Sequence, residues 1–429
     1  MLDSWAVADT EGHLLATHEG SIEEAHRVAR GFTKLGGRVF LDGMKRVYEG
    51  FDEGEIPLAA NMTRAQKVAR EQRRLRVIAP ETPFEDQPEL AAAALGIEYP
   101  IETDEVLDLT IGEAHEQIAD FFTNLPPLSG ARGGVYARRW LDPEGAVAGM
   151  LGGNYKMDKT DERQERARVV GLSIAPNVLG FKGALRSRTG ETVCLRSTRE
   201  CRATCLVYTG QNVAGEYNNA LKAAKAKALL NEPVAFLRVL HAAIMMWTCD
   251  AIALSYEPFL RLNVYADIPW ELVWPGLFDE FPEVQFYDYT KVPGRRDLPE
   301  NYDLTFSYSG RNQEDTIYEV TEGNRRVAAV FLVRRGADLP ELWNELPVVD
   351  GDLSDLRPLD PPNPYDEDPV CVGLRYKPPR GKFSREKPVR GRDVFIIPCE
   401  VLDDDRVVVS LSPRHTFAFG EDALDEEIA

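Results

Sequence analysis

From about residue 150 to residue 376 the sequence alternates short apolar runs with stretches of helical periodicity, and that alternation leaves few folds open. Residues 169–175 are nearly continuous in apolar side chains, as expected of a strand buried on both faces. Residues 259–265, 284–289, 302–309, 326–333 and 370–376 read as five further strands. Helical stretches fall between them, at 214–230, 231–254, 270–281, 313–321 and 339–346, the first with Lys222, Lys225 and Lys227 on its expected exposed side and the second opened by Asn231-Glu232-Pro233. Strands separated by helices pair in parallel. The expected class is α/β, with a parallel sheet that is open or partly closed into a (β/α) barrel.

The loop after the first of these strands carries the densest chemistry. Cys194, Cys201 and Cys205, three of the six cysteines, are spaced C-x6-C-x3-C. Three thiolates on one loop between a strand and a helix suit a soft metal or an iron–sulfur cluster. A four-iron cluster held by three cysteines keeps one iron open to a ligand, whereas a structural zinc would want a fourth protein ligand. Cys249, Cys371 and Cys399 lie in apolar helix or strand contexts and read as core residues. The six histidines show no metal-ligand spacing, and the chain has no phosphate-loop signature.

Around this central region, residues 150–378, the sequence marks two other parts. Residues 1–149 read as a small α+β unit with helices and a linker. Within it are expected strands at 5–10 and 13–17, a capped helix at 21–34, a hairpin from 38–41 and 46–48, and a proline-rich linker at 77–104 with a short helix at 88–95. A helix is expected at 110–122. Residues 379–429 read as a terminal β-hairpin, 393–397 with 406–411, and an acidic tail.

The opening residues lack a basic segment followed by an apolar run, so no signal peptide is expected. The longest apolar run, 241–254, is too short to span a bilayer and contains Asp250, so it reads as a buried helix and no membrane is expected. A cytoplasmic location follows, where clustered cysteines more often bind metals than pair. The formal net charge of −20 opposes nonspecific, charge-driven nucleic-acid binding by the whole surface. The helix expected at 63–76 is the exception, with Arg64, Lys67, Arg70, Arg73, Arg74 and Arg76 on its face. It is either a solvated face or a nucleic-acid contact.

In parallel α/β sheets, ligands bind beyond the carboxyl ends of the strands. Those ends are polar here: Asn263, Tyr265 and Asp267; Tyr287, Tyr289 and Lys291; Ser307 and Ser309. Residues two apart share a face of a strand. Asn263, Asp267, Ser307 and Ser309 are therefore expected to line a cofactor and substrate cavity beside the cysteines, with Tyr289 and Lys291 as proton or hydrogen-atom donors.

Several segments occur in order over more than two hundred residues: Gly153-Asn154-Tyr155-Lys156, 171–176, the three-cysteine loop, 262–271, 286–291, and Asp350-Gly351-Asp352 with Asp355-Leu356-Arg357. Together they resemble the phage family called gene product 88, which implies a phage or prophage origin, and host cytoplasm as the location if phage-encoded. The architecture also resembles radical S-adenosylmethionine enzymes, in which a three-cysteine loop follows the first strand of a partial barrel. That resemblance implies a [4Fe-4S] cluster on Cys194, Cys201 and Cys205, and S-adenosylmethionine on its open iron. The usual spacing there is C-x3-C-x2-C, and no Gly-Gly-Glu follows the second strand, so Asn263 or Asp267 would have to contact the cofactor's amino group. The leading expectation is an iron–sulfur enzyme acting on a nucleotide or nucleic-acid substrate. Two readings stand beside it: a replication-associated DNA-binding protein with a structural zinc and no catalysis, and a degenerate barrel kept as a scaffold. The oligomeric state is not legible.

Overall fold

A computed structural model describes the backbones of four N-terminal strands, at 4–8, 14–19, 38–41 and 47–49. Beyond them it describes residues 100–123, 139–153, 166–176, 193–198, 205–208, 216–334, 336–364, 369–377, 395–402 and 406–410, with Leu95, Leu125, Met157 and Cys201. The chain divides into two units, Met1–Val77 with Ser187–Glu191, and Ile78–Arg186 with Thr192–Ala429.

The first unit contains β1 (Ser4–Ala8), β2 (Leu14–Glu19), β3 (Arg38–Leu41) and β4 (Val47–Glu49), antiparallel in the order β2-β1-β3-β4. Both expected hairpins are present, since β1 pairs with β2 and β3 with β4. The helix expected at 21–34 and the basic helix at 63–76 lie outside the described residues, as does all of 88–95 but Leu95.

The second unit is built on an 11-stranded, mostly parallel sheet. Its centre is β6 (Ala167–Leu172), β7 (Glu257–Arg261), β8 (Gln285–Thr290), β9 (Tyr302–Ser307), β10 (Val327–Leu332) and β13 (Cys371–Arg375), parallel neighbours in that order. These are the six strands expected from the apolar runs. In β6 the consecutive residues Val169, Val170, Gly171 and Leu172 are all buried, as a strand covered on both faces requires.

The partly closed barrel is not what forms. The sheet is open, and the strands at its ends, β5 (Leu151–Gly152) and β11 (Leu342–Trp343), each pair antiparallel with a single neighbour. The helix expected at 339–346 is instead a hairpin of β11 with β12 (Leu346–Asp350). Asn344 and Glu345 both take positive φ, 48° and 70°, which closes a two-residue turn that matches strand twist. Trp343 is thereby buried against Tyr308, with ring centroids 5.0 Å apart. The terminal hairpin, β14 (Ile396–Val401) with β15 (Val407–Val409), forms as expected but is not a separate extension. β10 pairs with β9 only at Val327 and Ala328, and from Val330 to Leu332 its partner is β14.

Seven α-helices are described: α1 (Thr103–Asp108), α2 (Ile111–Thr123), α3 (Pro143–Met150), α4 (Glu216–Asn231), α5 (Pro233–Ala253), α6 (Trp270–Val273) and α7 (Gln313–Thr321). α5 is the one helix described that is long and apolar enough to cross a membrane, and 61% of its apolar window is buried inside the protein. It packs against α2, α3, α4 and β7, as a core helix does. Two of the three cysteines read as core residues are inside, Cys371 fully and Cys399 in part, but Cys249 is exposed on α5.

Gly171 couples this sheet to the loop beyond β7. A Cβ at Gly171 would stand 2.5 Å from Val264 Cγ2 and 2.8 Å from Met157 Cε. Gly171→Ala is therefore expected to destabilise the protein by about 1–3 kcal/mol, read as a lower urea midpoint at unchanged m-value. An unchanged midpoint would show that β6 and the 263–270 turn do not pack as tightly as described.

Candidate functional site

The parallel strands end on one edge, and three connections converge there. After β7 the chain turns through 263–270, and Asn263 holds that turn. Its amide donates to Ile268 O at 2.8 Å and to Asp288 Oδ2 at 3.1 Å, and its oxygen accepts from Ile268 N at 3.0 Å and Trp270 Nε1 at 3.3 Å. Both donor hydrogens and both lone pairs are occupied. Asn263 thus braces the turn and presents no open group to a cofactor.

The turn carries Asp267 to the end of β8, where its carboxylate accepts from Thr290 Oγ1 and from Lys291 N, each at 2.9 Å. Asp267 also reaches the cysteine loop: it forms an isolated parallel bridge with Cys194, and its amide donates to Val193 O at 2.9 Å. Cys194 Sγ donates to Tyr265 O at 3.4 Å. Thr198 Oγ1 accepts from Cys201 N at 3.1 Å, and Arg196 pairs with Asp315 of α7 at 2.5 Å. Asp267 thus ties the end of β8 through its carboxylate, and the cysteine loop through its backbone, to the turn that follows β7.

Electrostatics show that the thiols share this pocket with Lys291. Burial, then Asp267, Cys205 and Cys201, push the Cys194 thiol well above its ordinary value. Burial, then Cys201, push Cys205 up to about 12. Burial acts to lower Lys291, but Cys201, Asp267, Cys194 and Cys205, each of which favours the ammonium when it is itself ionised, outweigh burial and raise Lys291 above its ordinary value. Lys222 enters from α4, its Nζ 4.3 Å from the centre of the Tyr265 ring, and burial lowers it to about 8 even beside Cys205.

Lys222 and Lys225 correct the sequence reading, which placed them on the exposed side of their helix with Lys227. Both are buried, and Lys227 is half-buried. Lys225 Nζ donates to Met150 O at 2.5 Å and to Gly149 O at 3.3 Å, so it caps the carboxyl end of α3.

A second buried network fixes the same edge. Glu271 grips Arg295 with both carboxylate oxygens; Arg295 Nη2 also donates to the Tyr302 hydroxyl at 3.2 Å, and that hydroxyl donates to Asp288 at 3.0 Å. Asp288 has no exposed surface, and burial raises it to about 7 against the pull of Arg261.

The remaining expected residues lie apart from the thiols. Tyr289 faces a different group, with the Arg261 guanidinium 4.7 Å over its ring. Ser307 and Ser309 flank Asn312: Asn312 Nδ2 donates to Ser307 O at 3.0 Å, and Ser309 N donates to Asn312 Oδ1 at 2.7 Å. The structure thus brings together Cys194, Cys201, Cys205, Asp267 and Lys291. It adds Lys222 and Arg261, which no local pattern signalled, and Arg357, which lies in the Asp355-Leu356-Arg357 segment. Tyr289 Oη, Thr305 Oγ1, Arg261 Nε and Arg357 Nε are enclosed with no hydrogen-bond partner among the described residues. An unpaired buried polar group costs about 1–3 kcal/mol, so a cluster of them wants a physical reason.

By donor type the thiols fit a soft ion, since none of the three is in a disulfide. By spacing they do not: among the described residues no three His, Cys, Asp or Glu side chains stand close enough to hold one ion.

The family model for Gene product 88 matches residues 149–382, more than half of the chain, from the end of α3 past β13. No curated protein and no solved structure matches the chain.

The raised Asp288 gives a pH prediction. Its folded value, about 7, exceeds its ordinary 3.8, so the native state holds an extra proton between those limits. Its contribution to stability therefore falls as pH rises through that window, and the full penalty is present above about pH 7. Relative to Asp288→Asn, the wild-type unfolding free energy should drop by a few kcal/mol from pH 4 to 7, at about 1.4 kcal/mol per unit. Parallel stability curves for the two proteins would contradict this assignment.

Proposed function

The chain belongs to the gene product 88 family of phage proteins, and on that footing we propose that Cys194, Cys201 and Cys205 bind a soft metal centre, an iron–sulfur cluster, in an enzyme acting on a nucleotide or nucleic-acid substrate. The observation that carries this reading is the gathering of three reduced thiols, Asp267 and Lys291 at the carboxyl edge of a parallel sheet. Buried thiols with raised values stay protonated at neutral pH unless a cation replaces the proton, and a metal does so. Closing on one centre requires Cys201 and Cys205 to stand nearer to Cys194 than they do here.

When bound, a cluster held by three cysteines supplies an iron open to a ligand. S-adenosylmethionine is one such ligand; Asn263, being saturated, would not serve it. The chain's own part is definite. Asp267 fixes the position of Cys194 relative to Lys291, and Lys291 and Lys222 offset the negative charge of the thiolates. Lys291 also holds a proton beside the site.

Anaerobic purification with iron, zinc and sulfide analysis and a visible spectrum tests this, on wild type and on Cys201→Ala. The expectation is a brown protein with about four iron and four sulfide per chain, both lost in the variant. Stoichiometric zinc without sulfide, or no metal at all, would overturn the iron–sulfur reading. Lys291→Gln is expected to keep the fold but to lower iron occupancy severalfold, because the counter-charge to the thiolates is gone.

A further inference from the structure

One face of β7, β8 and β9 is polar in part. Along β7 and β8 it carries Phe259, Arg261, Tyr287 and Tyr289, and in register Tyr289 lies opposite Thr305 of β9. Leu356 covers its apolar end, packed with Phe259 and Tyr287, and Arg357 follows Leu356 directly.

The two guanidiniums are held loosely. Arg261 meets Asp355 through one atom at 3.4 Å, and Arg357 meets Asp360 through one atom at 3.2 Å. Arg357 also donates to Ser354 O and, at 3.5 Å, to Gly351 O. Arg295 also has an enclosed nitrogen without a hydrogen bond, Nη1, but Glu271 grips it through two other atoms. Arg261 Nε and Arg357 Nε are enclosed and unpartnered, and so are the hydroxyls of Tyr289 and Thr305. All four atoms can donate, and the one enclosed acceptor without a hydrogen bond beside them, Asp360 Oδ2, already faces Arg357 Nη1, so the further acceptors these donors call for would come from a ligand. Room for Arg357 is itself built in: a Cβ at Gly351 would stand 2.9 Å from Arg357 Nη1.

We propose that Arg261, Tyr289, Thr305 and Arg357 bind the phosphate group of a small ligand. The donors come from three strands and a loop, not from the single planar fork that suits a carboxylate. Asp355 and Asp360 position the guanidiniums and balance their charge, which favours a single phosphate over a polyanion. Arg261 and Tyr289, the members that are not fully buried, form the rim. Tyr289 precedes Lys291 by two residues, so the site adjoins the thiols but does not depend on what they hold.

Isothermal titration of the full-length protein with inorganic phosphate at constant ionic strength tests this. Wild type should bind one phosphate with a Kd of about 1 mM or tighter, and acetate at least tenfold more weakly. Arg261→Gln, Tyr289→Phe and the near-isosteric Thr305→Val should each weaken phosphate binding about tenfold while keeping the wild-type circular dichroism spectrum. Cys201→Ala should bind phosphate as wild type does, which separates this site from the metal reading. No heat of binding up to roughly 20 mM phosphate, equal affinity for acetate, or folded variants that bind as wild type does would each overturn the proposal.

Discussion

Asp267 is the joint on which the carboxyl edge of the sheet depends. Its side chain receives the Thr290 hydroxyl and the Lys291 amide, and its backbone meets Val193 and Cys194. These contacts join segments distant in sequence, and no local propensity would bring them together. Burial raises Asp267 above its ordinary range, opposed by Lys291 and Arg295, so the joint relies on those cations as well as on its hydrogen bonds. The brace at Asn263 and the Glu271–Arg295 pair hold the turn that delivers Asp267. Asn263, Asp267, Glu271 and Arg295 are therefore occupied with holding this edge together.

That occupation follows from the physics of burial. A buried hydroxyl or amide is satisfied by one or two neighbours, whereas a buried thiol gains little from any hydrogen bond and favours its proton. Raised thiols beside a raised lysine form a site whose charge state is set by what enters it. A soft cation would replace the protons and stabilise three thiolates together.

The strands of the second unit were legible because each is a short apolar run bounded by turn residues, and a strand buried on both faces needs nothing else. The 339–346 segment was not: its apolar spacing fits a helix, and only the positive φ of Asn344 and Glu345 makes it a hairpin. Openness of the sheet was equally hidden, since whether the end strands meet depends on twist and on β14 pairing with β10 after β9 has left it. At the site, the cysteine spacing pointed to Cys194, Cys201 and Cys205, and strand-end polarity pointed to Asp267 and Lys291. The same polarity also drew in Asn263, which is saturated, and Tyr289, which faces Arg261. Lys222 and Lys225 looked solvated because lysines three apart on an alanine-rich helix resemble an outer stripe; here that stripe faces the thiols and the end of α3. The pairing of Arg261 with Asp355 spans 94 residues, beyond the reach of any local pattern.

The central claim is that three thiols on one loop close on a single centre at the carboxyl edge of the sheet. Anomalous diffraction at the iron edge, from crystals grown without oxygen, tests it most directly. The account predicts one strong iron peak bounded by the sulfurs of Cys194, Cys201 and Cys205, with the Lys291 ammonium beside it. A map with no anomalous scatterer among those sulfurs, or with the three thiols pointing apart, would contradict it.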